Sequence, residues 1–475
     1  MKPRLVASAT LIAFCLVGHF ATPAFAQVGR RLPSEKKIIP DPVTGLPLTF
    51  LTSAPAGDSK IYQTHPQWTA DGKWLVFRSN RAPGQAFAVN EESGAIVQLT
   101  ENGYMGMLCL ARHSMKLYFM RGSGRATAPA ASPQPAAATN PASGPPVASR
   151  SPVARGANRP RGPSQIIELD LERLFADSKA GTLKPGATAY ERVCGTTPPG
   201  MNADGNMGLD ANEDFAYFRI NGDDLADKLP PGTKIAARFG PRGMGAGPTG
   251  LAGMNLKTGE VKFIVAVPFQ IGHVQTNPWM PGEIIFCWET GGKAPQRTWT
   301  VMADGTGLRP LYPEADYEWV THEAVITKDE VAIAILGHRK IGAPDTGWGV
   351  SGTREHPTGL GIVNLRTREM RIVGQTPSGS GLWHVNGSAD GRWAVGDDFS
   401  RSVYLIDRHT SEMMLLTTGH KPTAADHPHP TFNADGTKIE IESAMLSTDN
   451  RSMNICIIPV PPAWLARTYP ASAPH

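Results

Sequence analysis

Cysteine is scarce in this chain, with five residues in 475 and no Cys-x-x-Cys spacing. The small scaffolds held together by disulfides are excluded, because a chain this long needs no such staples. An excess of charge of one sign is also missing. Lys and Arg number 46 against 42 for Asp and Glu, a formal net charge of +4, which leaves no basic footprint for nucleic acid. Beyond the N-terminus no stretch is apolar enough to cross a bilayer. No Gly-x-Ser-x-Gly elbow is present, which disfavours a serine peptidase. What remains is 41% hydrophobic and 19% charged, too apolar for a disordered chain. Glycine and proline, 50 and 42, make up nearly one residue in five and disfavour a helical bundle.

Residues 1–26 carry Lys2 and Arg4, an apolar run from Leu5 to Val17, and then Ala24-Phe25-Ala26. That order predicts a secretory signal peptide cleaved after Ala26, and hence a periplasmic or secreted protein. The apolar run is shorter than the ~20 residues of a membrane span. Cys15 would leave with this segment. Cys109, Cys194, Cys287 and Cys456 would remain, the last two inside apolar strand-like stretches.

The chain repeats itself. His65-Pro66-Gln67-Trp68-Thr69-Ala70-Asp71-Gly72 is echoed by His384-Val385-Asn386-Gly387-Ser388-Ala389-Asp390-Gly391 and by His427-Pro428-His429-Pro430-Thr431-Phe432-Asn433-Ala434-Asp435-Gly436. Each runs into a short β-type stretch, and the Asp-Gly pair suits a tight hairpin. Weaker copies bring the number of units to seven, starting near 65, 106, 205, 271, 320, 382 and 427. Antiparallel sheets at this spacing predict an all-β, seven-bladed β-propeller over 65–461. Residues 27–64 are expected to include a ring-closing strand between Leu46 and Tyr62, and 462–475 a C-terminal tail. Residues 124–163 hold 11 Ala, 9 Pro and five Arg with no acidic residue, which predicts a disordered insertion in blade two. A second Gly/Pro-rich insert, 222–250, falls in blade three.

In a propeller the innermost strands line the central channel, so residues at their starts converge on one mouth. His65, His273, His322, His384 and His427 all hold that phase, and His429 follows two residues after His427. Period-2 alternation predicts that His427 and His429 point to the same side. Neutral imidazoles are ligands for first-row metals, and His384 from the adjacent blade can join this pair. For His65 the alternative is a channel residue satisfied by a backbone carbonyl. His113, His338, His356, His409 and His420 are out of phase and receive no role.

Several runs resemble the oligogalacturonate lyases of polysaccharide lyase family 22. They are Gly272-His273 with Pro278, Phe286-Cys287-Trp288-Glu289, Arg297-Thr298-Trp299, Thr321-His322-Glu323, His384 with Val395-Gly396-Asp397, and His427-Pro428-His429-Pro430. The match in motif order spans about 271 to 461; before that, only the general blade pattern shared with TolB-like propellers is present. The resemblance implies a seven-bladed propeller that cleaves uronate oligosaccharides of pectin by β-elimination. It implies a manganese ion on His384, His427 and His429, His322 as base and Arg297 as assisting cation; His273 and His65, from their place at the channel mouth, are expected to contact substrate. The family's glutamine ligand falls at Ala424, a departure that Asp426 beside His427 or a water would have to cover. Glu323 is expected to orient a histidine. The other reading is a non-catalytic, TolB-like periplasmic propeller that binds a protein or glycan partner.

Overall fold

The computed structural model describes residues 27–123, 162–239, 242–315, 318–337, 358–375 and 381–469. The expected signal peptide and residues 124–161 of the insert lie outside these residues, as do His338 and His356.

Seven antiparallel sheets follow one another along the chain and form a seven-bladed β-propeller. Their innermost strands are Asp58–Lys60, Met105–Leu110, Asn202–Leu209, Ile271–Thr276, Val320–Thr327, His384–Gly387 and Thr431–Phe432. Blade seven is completed from the other end of the chain. Pro47–Phe50 pairs with Asn454–Pro459, and Lys37–Pro40 pairs outside it, so two early strands rather than one join the last sheet. Arg31–Leu32 adds a fifth strand to the outer edge of blade one.

Blade one departs from the repeat at its inner edge. Asp58–Lys60 pairs with the end of Trp74–Ser79, and pairing resumes only at Trp68 opposite Leu75. The interruption frees Tyr62 and Gln63 from the ladder and brings them to the channel wall.

The ring is held by seven apolar clusters, each shared by two neighbouring blades. Strand Glu283–Trp288 shows how one sequence serves two of them. Ile284 and Phe286 pack toward blade three, and Ile285 between them packs toward blade five. Side chains alternate across a strand, so a blade covered on both faces must be apolar at every position, as Ile-Ile-Phe-Cys is here. Full burial of a side chain such as Phe286 contributes about 1.5–3 kcal/mol.

The repeated turns share one design. In blade one the Thr69 hydroxyl donates to Asp71 at 2.6 Å, and in blade six Ser388 does the same to Asp390 at 2.6 Å. Gly72 and Gly391 follow at φ of 68° and 75°, where a side chain would strain the backbone. Helix Leu171–Ala180 in blade two was not expected from the repeat. Asp170 caps its first turn, Gly181 ends it in the left-handed conformation, and Leu171, Leu174, Phe175 and Ser178 form its buried stripe. All four cysteines among the described residues are free and buried. No helix among the described residues is long and apolar enough to cross a membrane.

Candidate functional site

A bulge recurs in the inner strands. Pairing slips between Gly272 and Gln275 in blade four and between Thr321 and Ala324 in blade five. The bulged residues, His273 and His322, stand at φ of 48° and 50°, and His429 in blade seven stands at 51°. Blades two and three slip at the corresponding place, with Gly106 and Gly205 at 67° and 82°. There glycine is required by space as well, since a Cβ on Gly106 would lie 2.2 Å from the carbonyl oxygen of Gly205. Left-handed backbone costs an L-residue about 1–2 kcal/mol, and such strain gathers where it re-aims a side chain for function.

The histidines so placed form one cluster of rings. His322 and His384 have centroids 4.3 Å apart, and His384 stacks on His429 at 3.6 Å. His427 lies 5.5 Å from His384, and His273 lies 6.1 Å from His322. Tyr62 fits between blades, with centroids 5.0 Å from His273 and 5.3 Å from His429. Trp383 covers His322 at 4.9 Å and His427 at 5.8 Å.

The alternation expected to turn His427 and His429 together is absent, because strand pairing begins only at Thr431 and His429 is in the left-handed conformation. Their rings reach different carboxylates while both flank His384. His427 Nδ1 lies 2.9 Å from Asp397 Oδ2, and His384 Nδ1 lies 3.2 Å from Asp397 Oδ1. His429 Nε2 lies 3.3 Å from Asp426 Oδ1, off the hydrogen-bonding direction and without a hydrogen-bond partner. Glu442 completes that group, its donor atom within 4.8 Å of the other two.

On the other side of the channel, His273 stands between two carboxylates. Its Nδ1 is 3.0 Å from Glu323 Oε1, and its Nε2 is 3.2 Å from Glu289 Oε2. Arg297, 3% exposed, donates from Nε to Glu323 Oε2 at 3.4 Å and reaches Glu289 at 3.6 Å. Burial alone would push Glu289 up, but Arg297 and His273 outweigh it and hold the carboxyl at about 2. Glu323, also buried, is lowered for the same reasons. Glu323 thus orients a histidine, and that histidine is His273.

His65 does not join the cluster. Its Nε2 meets the Met207 carbonyl at 2.8 Å and its Nδ1 the Thr64 hydroxyl at 2.7 Å, and burial lowers its pKa to about 4. Both ring nitrogens are occupied by the scaffold. His322 differs, because its Nδ1 is buried with no partner. Desolvation, followed by the neighbouring His384 and Arg297, holds its pKa well below 6.5, so the ring is neutral at ordinary pH. Tyr62, Asp397, Trp383 and Glu442 were missed by sequence reasoning. Of these, Asp397 alone carried a signal, as the residue paired with His384 across the hairpin.

His273, His322, Trp383, Trp319, Arg242 and Arg297 line a partly open cavity beside the rings. Aromatic walls with guanidinium groups offer an apolar face and a positive charge together. The donor groups fit a divalent cation. Imidazole nitrogens and carboxylate oxygens stand together at His384/Asp397/His427 and at Asp426/His429/Glu442, and His429 Nε2 is an orphaned buried nitrogen.

Fold and donors together define a seven-bladed propeller with a histidine-lined channel able to hold a divalent metal. No protein-family profile and no curated protein sequence matches the chain. Among solved structures, the chain is similar to an oligogalacturonate lyase in complex with manganese, at TM-score 0.64 and 17% identity over 92% of this chain and 100% of that one. An oligogalacturonate lyase from Vibrio parahaemolyticus is similar at TM-score 0.63, with the same identity and coverage.

Proposed function

We propose that this protein is an exported, metal-dependent lyase that cleaves uronate oligosaccharides of the oligogalacturonate type by β-elimination. The observation that carries this reading is the neutral ring of His322, its Nδ1 unpartnered, set between an imidazole cluster and a cavity lined by tryptophan and arginine. The two similar lyases share this fold, and the N-terminal residues support export.

The C5 hydrogen of a uronate is α to a carboxylate, and its removal loads that carboxylate with further negative charge. His322, deprotonated at working pH, takes the proton. Trp383 and Trp319 hold the apolar face of the sugar. Arg242 and Arg297 draw the carboxylate, Arg242 with its side chain about half exposed and Arg297 from within its pair of glutamates. Tyr62, its hydroxyl buried without a partner and its pKa raised well above 10 by burial, stays protonated as a hydrogen-bond donor. His273 contacts substrate from its seat between Glu289 and Glu323. A divalent cation, manganese in this reading, held at His384, His427 and His429 would supply positive charge against the developing carboxylate. The electron pair of the C5–H bond forms the C4=C5 double bond as the C4–O bond breaks, and the departing oxygen takes a proton from water, leaving an unsaturated uronate end.

The test is an ultraviolet assay. Protein, Mn²⁺ and oligogalacturonate should produce the absorbance of a 4,5-unsaturated uronate, and His322→Ala should remove it. Absence of signal across several uronates and metals would refute the reading.

A further inference from the structure

Among the described residues three groups of three donors stand together; that of His273, Cys287 and Glu289 is already paired with Arg297 and Glu323, and the other two differ in whether they are complete. In the first, Asp397 accepts from the ring nitrogens of His384 and His427 and from the His384 backbone N–H at 2.9 Å. Donors and acceptors match around that carboxylate.

The second group, Asp426, His429 and Glu442, does not close on itself. His429, 6% exposed, has an Nε2 with no hydrogen-bond partner. Two carboxylates, Asp426 and the 2% exposed Glu442, stand with it within 4.8 Å. Two carboxyl groups this close in a buried setting cannot both carry charge without a cation between them. The cations nearby meet them only in part. Lys60 sends its ammonium to the Ile61 carbonyl at 3.0 Å, the Thr431 hydroxyl at 2.8 Å and Glu440 at 3.9 Å, and only its backbone N–H touches Glu442. Arg401 donates to the backbone carbonyl of Asp426, not to its carboxylate. One buried ring nitrogen without a hydrogen-bond partner and two buried carboxyl groups make a set of mixed nitrogen and oxygen ligands for a divalent cation.

We infer that Asp426 and Glu442 are the oxygen ligands of the cation and that they seat it on the His429 side of the cluster. The inference rests on the reading above that the protein binds a divalent cation. The first group then plays a supporting part. Asp397 fixes the tautomer and direction of His384 and His427, leaving Nε2 as the nitrogen of each ring that can face a ligand.

Metal-free protein titrated with Mn²⁺, followed by calorimetry and by the electron paramagnetic resonance of the bound ion, tests this without any substrate. Wild-type protein should bind Mn²⁺, and Glu442→Gln and Asp426→Asn should each weaken binding at least tenfold and change the spectrum of what remains bound. If wild type binds no Mn²⁺, the underlying reading fails. If wild type binds and a folded carboxylate variant binds within threefold of it with an unchanged spectrum, the inference is overturned while that reading stands. Asp426→Asn decides the matter should Glu442→Gln not fold.

Discussion

Asp397 Oδ2 lies 2.9 Å from Nδ1 of His427, and the other oxygen of the same carboxylate serves His384. One side chain therefore sets the tautomer of two imidazoles from two blades. Asp397→Asn leaves a single carbonyl oxygen for two ring donors. Mn²⁺ affinity, measured by calorimetry, is expected to fall about 10- to 100-fold, with the circular dichroism of the folded sheets retained.

His322 adopts a backbone conformation that blades two and three fill with glycine. His322→Gly removes the left-handed penalty of about 1–2 kcal/mol together with an orphaned ring nitrogen. The variant should lack lyase activity and yet melt no lower than wild type, whereas His322→Val should melt lower than both. A large drop in melting temperature for His322→Gly would show that the ring is chiefly structural.

The activity profile should carry the mark of the same ring. His322 is held well below 6.5, chiefly by burial, and a base works only when deprotonated. Activity should therefore persist as pH falls through 6.5 and decline only in more acidic buffer. An acid limb at or above pH 6.5 in kcat/KM would contradict this.

Arg297 answers two buried glutamates, Glu289 and Glu323. Its removal strands both charges, so Arg297→Ala should cost about 3–5 kcal/mol of stability in chemical denaturation. Loss of activity in that variant would say little about catalysis unless stability is measured beside it.

Glu440 is fully buried, and its carboxyl is raised by desolvation to about 7 from 4.5, with Lys60 only partly offsetting it. The folded chain binds this proton more tightly than the unfolded chain. Stability is therefore greatest below pH 4.5 for this group and declines as pH rises from 4.5 to 7, by up to about 3 kcal/mol at 1.36 kcal/mol per unit. Glu440→Gln should flatten that slope in melting curves taken across the interval.

The repeat and the phase of the histidines could be read in the sequence because each blade reuses one turn and one apolar ladder. His273, His322, His384, His427 and His429 were found in this way, and the structure gathers them. His65 kept the phase but lies where the inner strand of blade one is interrupted, and its nitrogens turn to Thr64 and Met207. Tyr62 was invisible for the same reason, since an interruption has no periodicity. Glu440 and Glu442 alternate with Ile439 and Ile441, which reads as a strand with one solvated face. In a propeller that face is closed by the neighbouring blade, and both glutamates are buried. Ala424, 5% exposed, packs with Ala444 and Met453 and has no polar atom to offer beyond its backbone.

Lys60, on the inner strand of blade one, and Tyr62 just after it come ten and twelve residues beyond Phe50, the end of the strand that ties the start of the chain to its last sheet. Until blades one and seven meet, these two side chains have no fixed position beside His429, Glu440 and Glu442. A molecule with six sheets complete and the circle still open would therefore have most of its secondary structure and no working centre. A clipped or half-assembled copy would be inert, not weakly active, and competence would arrive in a single step with the final seam.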